Sequence, residues 1–238
     1  MRVKVLQSFR EYNVPIWIQK CMLSVKDWTR YYGYEYEFIG DNFFNFTPTW
    51  CKVSDKWVIT DICRLVWLKQ ETRNYDRVIW VDADFIIFNK DNMQLGIEDH
   101  GFSYEPLGIN NAFMYFNKGS IILDHYYELS KKVVLNEEIC RTSIGPDLLR
   151  KIANLNVLKF CGLLYRPITT ELLHGYGKEL DKFIAKLPMP IAGVNMCNFV
   201  RDLSPHSNDV LFTDNEFLKV VDLLLLTEGL RFNKKWER

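Results

Sequence analysis

Arg77-Val78-Ile79-Trp80-Val81-Asp82-Ala83-Asp84-Phe85-Ile86-Ile87-Phe88 is the stretch whose reading decides the fold. Its apolar, largely β-branched and aromatic residues read as a buried strand. Two carboxylates are set inside it. An ionised carboxylate in such surroundings costs several kcal/mol unless a partner charge or a cation offsets it. Strand side chains two apart point the same way, so Asp82 and Asp84 are expected to aim at one spot. Hard divalent cations take one or two protein carboxylates and fill their other positions with phosphate oxygens and water. The expected role of the pair is to hold a metal diphosphate. The bland alternative for Asp-x-Asp is a solvated turn or a helix cap. Context favours the cation: polar Tyr75-Asp76 ahead, an abrupt hydrophobic entry, and the turn chemistry of Asn89-Lys90-Asp91-Asn92 behind.

Upstream, Val3 to Leu6 alternates as a first strand and ends in Gln7-Ser8, at the kind of sheet edge where nucleotides bind. A helix follows from Pro15, with Ile18, Met22, Val25 and Thr29 as its stripe and Gly33 as its stop. Tyr34 to Ile39 reads as the second strand. Asp41, just past it, is either a partner for a ribose hydroxyl or a solvated loop residue. Asn42 to Trp50 has no period and reads as a loop. Ser54 or Asp55 then caps a helix running to about Gln70, with Trp57, Asp61, Arg64 and Leu68 on one face. Asp61 and Arg64 are either an intrahelical ion pair, worth a few tenths of a kcal/mol, or reach the same ligand as Asp82.

Downstream, strands are expected near Phe102 to Glu105, over Asn110 to Phe116 and over Val157 to Phe160. Helices are expected over Ser120 to Val134, from Thr142-Ser143-Ile144-Gly145-Pro146-Asp147 onward, and after a Thr213-x-x-Glu216 capping box. The last is apolar almost all round and ends at Gly229. Strands alternating with helices predict an α/β fold, one domain over residues 1–238, with a mainly parallel central sheet flanked by helices.

Composition supports a packed core and excludes some partners. The chain has 238 residues, 48% hydrophobic and 15% aromatic. Its 30 basic and 30 acidic residues balance, so no field favours nucleic acid or an anionic membrane. The six cysteines, Cys21, Cys51, Cys63, Cys140, Cys161 and Cys197, are scattered and read as reduced core thiols. Met1 to Leu6 is too short an apolar run for a signal peptide, and no stretch has the length to span a bilayer, which reads as a soluble, cytoplasmic protein.

Asp82-Ala83-Asp84, with Asp61-Ile62-Cys63-Arg64-Leu65 and the run from Tyr75 to Ile87, resembles the DXD-containing glycosyltransferases of the GT-A fold, in particular the glycogenin-like and capsular-polysaccharide-type sugar transferases. The resemblance implies a Rossmann-like GT-A domain, residues 1–105 forming its nucleotide-binding half and 106–238 its acceptor side. It implies a nucleotide-diphospho-sugar donor (a UDP- or GDP-sugar), a glycan or protein acceptor, and Mn²⁺ or Mg²⁺ on Asp82 and Asp84, with His206 as third ligand ahead of His174. By the same resemblance, Gln7, Ser8 and Asp41 cradle the nucleoside, Asp61 and Arg64 contact the donor, and Asn111 lines the sugar pocket. Phe113 stands where relatives carry a glycine. Asp147 is the candidate base should transfer invert, and the likeness leans toward retention. Two rival readings remain. A phosphatase of the haloacid-dehalogenase type would use Asp82 as nucleophile and Asp84 as acid, but the motif lies late in the chain and no Gly-Asp-x-x-x-Asp follows. A non-catalytic sugar- or protein-binding domain would keep the fold without chemistry.

Overall fold

Burial of the apolar half of each element decides the architecture, seen here in a computed structural model that describes residues 1–105, 108–136, 138–153, 155–158, 161–163, 192–196 and 213–227. In chain order the elements are β1 (Val3–Ser8), α1 (Ile16–Tyr32), β2 (Glu35–Ile39), a 3-10 helix (Asp41–Phe46), α2 (Lys56–Glu71), β3 (Arg77–Val81), β4 (Phe85–Ile87), β5 (His100–Glu105), β6 (Gly108–Asn117), α3 (Ile121–Asn136), α4 (Pro146–Lys151), β7 (Val157–Leu158), β8 (Cys161–Leu163), β9 (Gly193–Asn195) and α5 (Asp214–Thr227). The chain folds as two units: one takes residues 1–12, 32–82 and 96–158, the other 13–31, 83–95 and 159–238.

The first unit is built on a six-stranded sheet of order β2-β1-β3-β6-β5-β7. The pairs β1–β2, β1–β3 and β5–β7 are parallel, whereas β6 runs antiparallel to both β3 and β5. The expected α/β fold with a mainly parallel, helix-flanked sheet is therefore present. Helix α2 starts where Asp55 Oδ1 accepts from the N–H groups of Trp57 (2.8 Å) and Val58 (3.3 Å), an N-cap satisfying two orphan donors. Its residues Val58, Ile62, Leu65 and Leu68 join Leu6, Val78, Trp80, Phe102, Met114, Phe116 and Tyr126 in one core.

Two local expectations are corrected. The segment expected as a loop over Asn42 to Trp50 begins with the 3-10 helix, because Phe43 is drawn into the core, its ring centre 5.5 Å from that of Trp80 and 6.0 Å from that of Trp67. More consequentially, residues 77–88 are not one strand. Strand β3 is fully buried and sits between β1 and β6, so a charged carboxylate cannot continue it. The Asp82 N–H makes a last bond to the Ala112 carbonyl (2.7 Å), the chain turns through residues 82–84, and pairing resumes at β4. Strand alternation therefore does not relate Asp82 to Asp84.

In the second unit β4 belongs to a three-stranded sheet of order β4-β9-β8, antiparallel to β9. Helix α1 buries Trp17, Ile18, Cys21, Val25 and Trp28 and is stopped by Gly33, whose φ of +69° suits glycine. Ser24 Oγ accepts from the Ile87 N–H at 3.0 Å. Helix α5 opens with the expected capping box, Glu216 Oε2 accepting from the Thr213 N–H (2.6 Å) and hydroxyl (2.9 Å). It buries one stripe, Phe217, Val220, Val221 and Leu224, rather than its whole circumference, and Leu226 is 79% exposed. Trp17 stacks on Phe217 at 4.4 Å and donates to Asp214 Oδ1 at 3.0 Å. Residue 229 lies outside the described residues, as do 159–160 of the expected late strand. Among the described residues no helix is long and apolar enough to cross a membrane. Cys21, Cys51 and Cys63 are buried free thiols; Cys140 departs from the expectation, exposed in the loop before α4.

Arg77, only 2% exposed, anchors the start of β3. Its guanidinium donates to Asn117 Oδ1 (2.6 Å), Gly96 O (2.8 Å) and Glu98 O (2.9 Å) and lies 4.3 Å from the Tyr115 ring centre. Arg77→Ala would take the donor from three acceptors and empty the buried space of the guanidinium, and a destabilisation of about 3 kcal/mol is expected in urea melts. Arg77→Lys should recover less than half of it, because one ammonium cannot match the planar fork.

Candidate functional site

The first unit gathers Asp61, Arg64, Asp82 and Asn111 at the carboxyl end of β3. Helix α2 presents Asp61 and Arg64 one turn apart on the same face, as their spacing predicts. Strand β6 brings Asn111 opposite them. The Arg64 guanidinium is 3.0 Å from Asp82 Oδ1 and 3.4 Å from Asp61 Oδ1, and donates to the Asn111 carbonyl at 3.0 Å. Asn111 Nδ2 in turn donates to Asp61 Oδ1 at 2.9 Å. The helical ion pair exists, and Arg64 also reaches Asp82.

Trp80 is the residue that sequence reasoning missed. Its indole N–H donates to Asp82 Oδ1 at 2.6 Å, and its ring centre lies 4.7 Å beneath the Arg64 guanidinium. A tryptophan two residues before an acid at a strand end was the available signal. Arg64 and Trp80 both address Oδ1, so Oδ2 is the Asp82 oxygen outside these two contacts.

The remaining residues fall in different places. Gln7 is fully buried; its Nε2 donates to the Asp82 carbonyl at 3.1 Å and its Oε1 accepts from the Tyr36 hydroxyl at 3.0 Å. The Tyr36 bond orients the amide that holds the Asp82 carbonyl. Ser8 closes β1, and Asp41 is exposed in the first turn of the 3-10 helix. Phe113 is fully buried on β6, paired with Val81. Asp147 binds the Thr142 hydroxyl and Arg150 (3.2 Å), contacts within its own loop and helix. Gly145, capping α4, abuts Asn111, whose amide oxygen would lie 3.0 Å from any Cβ placed there. Asp84 belongs to the second unit, partly buried in the turn, its carbonyl accepting from the Met196 N–H at 2.9 Å. His206 and His174 lie outside the described residues.

The Arg64 guanidinium faces two carboxylates. Burial raises the Asp61 carboxyl from the ordinary 3.8 to about 6; Arg64 opposes this and the Asp82 charge adds to it. Burial likewise raises Asp82, against Arg64 and the indole hydrogen bond. A raised acid holds its proton longer in the folded chain, so its contribution to stability falls as pH rises from about 4 through about 6. Relative to the native chain, Asp61→Asn should therefore gain stability across that window. The gain approaches about 3 kcal/mol at 1.36 kcal/mol per pH unit, less what the 13% exposure of the side chain screens. Chemical melts at pH 4 and pH 7 measure it, and parallel curves for the two proteins would refute it.

No protein-family model matches the sequence, and no curated protein sequence matches it. Solved structures do. The chain is similar to a glycosyltransferase involved in the glycosylation of the major capsid of PBCV-1, at 13% identity and a TM-score of 0.52 over 94% of this chain and 100% of that one. It is similar to the galactosyltransferase LgtC, solved in complex with donor and acceptor sugar analogs, at 12% identity and a TM-score of 0.50 over 93% of this chain and 95% of that one. At such identities the likeness is one of architecture. The chain has the α/β fold of the GT-A glycosyltransferases, with Asp82 at the carboxyl end of a central strand.

Proposed function

We propose that this chain is a metal-dependent glycosyltransferase, moving a sugar from a UDP- or GDP-sugar to an acceptor hydroxyl on a glycan or protein, with retention at the anomeric carbon. The observation that carries the reading is Asp82: a carboxylate just past the end of a central strand, oriented through one oxygen by Arg64 and Trp80. In open α/β sheets ligands bind outside the carboxyl ends of the strands.

The residues fit a hard cation. Asp61, Arg64 and Asp82 sum to one negative charge when both acids are ionised, and burial makes that charge costly until a cation offsets it. Among the described residues no three His, Cys, Asp or Glu side chains gather as a closed metal cage. A Mg²⁺ or Mn²⁺ nucleotide needs only one or two protein carboxylates. Asp82 through Oδ2 would supply one, the sequence offers Asp84 as the second, and His206 is a further candidate. When bound, the ion supplies positive charge for the departing diphosphate.

The chain's own residues prepare that position. Arg64 holds the Asp82 rotamer and keeps a fixed positive charge beside it, so neither reorganises as negative charge develops on the leaving group. Gln7 holds the Asp82 carbonyl. Asn111 fixes Asp61 and would border the sugar pocket, while Ser8, closing β1, and Asp41, opening the 3-10 helix after β2, would flank the nucleoside. Asp147 is engaged by Thr142 and Arg150, and retention requires no base held at a fixed point. A proton-accepting Asp147 belongs to the inverting alternative.

Calorimetry with Mn²⁺ and a panel of UDP- and GDP-sugars, followed by donor turnover, tests the reading. Metal-dependent donor binding is expected. Asp82→Asn and Asp84→Asn should each cut metal-stimulated turnover by about 100-fold or more without lowering the melting temperature by more than a few degrees. Full turnover by Asp84→Asn would refute the assignment. Cleavage of p-nitrophenyl phosphate without donor turnover would point instead to a phosphatase.

A further inference from the structure

We infer that Trp57 and Arg141 form a platform on which the ring of the acceptor saccharide stacks, an assignment that rests on the sugar-transfer reading. Trp57 is in the first turn of α2, its backbone fixed by the Asp55 cap, yet its side chain is left 43% exposed. A lone exposed tryptophan is ordinary. This one carries the Arg141 guanidinium over its ring, 3.8 Å from the ring centre.

Two independent ties connect the platform to the Asp82 cluster. Along α2, Trp57, Asp61 and Arg64 recur at helical spacing on one face. Seven residues at 1.5 Å rise put Trp57 about 10 Å along the axis from Arg64, a length that a saccharide spans. From the other side, the loop carrying Arg141 is tied down. The Cys140 N–H donates to Ser143 Oγ (2.9 Å), the Ser143 N–H to the Cys140 carbonyl (3.1 Å), and the Tyr126 hydroxyl to the Ile144 carbonyl (2.8 Å). Gly145, next in the loop, abuts Asn111. The Arg141 charge is near enough to Asp61 to favour its ionised form.

The chemistry suits a sugar ring. A pyranose presents a flat face of C–H groups and a rim of hydroxyls. The indole face away from the guanidinium would cover the first, and the guanidinium stacked on the other face holds the indole plane in place. A tryptophan side chain also loses little conformational freedom on binding.

Saturation-transfer NMR and titration with lactose, maltose, cellobiose, mannobiose and chitobiose test the platform on the native chain, Trp57→Ala and Trp57→Phe. At least one disaccharide is expected to bind the native chain. Its affinity should fall by about tenfold in Trp57→Ala and stay within about threefold in Trp57→Phe. The affinity for Mn²⁺ with UDP or GDP should be unchanged in both variants. Absence of binding by every disaccharide, or equal binding by Trp57→Ala, would overturn the platform while leaving the nucleotide result intact. Failure of both nucleotides to bind the native chain would instead defeat the transferase reading, whatever the sugars do.

Discussion

A single buried guanidinium organises the candidate site. Arg64 is 6% exposed and stands against Asp82, Asp61, the Asn111 carbonyl and the Trp80 ring together. Burying such a charge is favourable only where its partners are fixed in number and geometry. Its partners come from α2, from β3 and the turn after it, and from β6, so the core beneath them must be complete before the charge is satisfied. The polar cluster and the hydrophobic core are therefore one problem: Trp80 belongs to both, packing against Phe43 and Trp67 while its indole nitrogen holds Asp82.

Strand β3 has an arginine-stacked aromatic near each end. At its start Arg77 lies over Tyr115 and gathers the backbone of Gly96 and Glu98. At its finish Arg64 lies over Trp80. The two differ in what they face. Arg77 donates to three neutral oxygens, which makes it a structural post. Arg64 meets two carboxylates, and burial raises both.

The turn at residues 82–84 follows from the same constraint. An apolar run on both sides of two acids reads as one strand, because periodicity carries no record of a sheet's edge. Charge does: Asp82 cannot occupy an interior rung, so β3 ends one residue earlier and the chain leaves for β4. The acid is placed at the sheet's carboxyl edge by what it cannot do inside it.

Local chemistry made most of the elements legible. The Asp55 cap, the Thr213/Glu216 box, Gly33 after α1 and the stripes of α1 and α2 act within a few residues, and the structure contains each of them. The α/β class and the grouping of Asp61 with Arg64 were readable for that reason. Tertiary structure alone decided the antiparallel placement of β6, the inward turn of Phe43 and the indole bond to Asp82. It alone gave Gln7 its bonds to the Asp82 carbonyl and the Tyr36 hydroxyl. These depend on partners far apart in sequence, 47 residues between Arg64 and Asn111 and 75 between Gln7 and Asp82. Spacing along a chain encodes which face a side chain occupies, whereas only the closed core determines what lies opposite it.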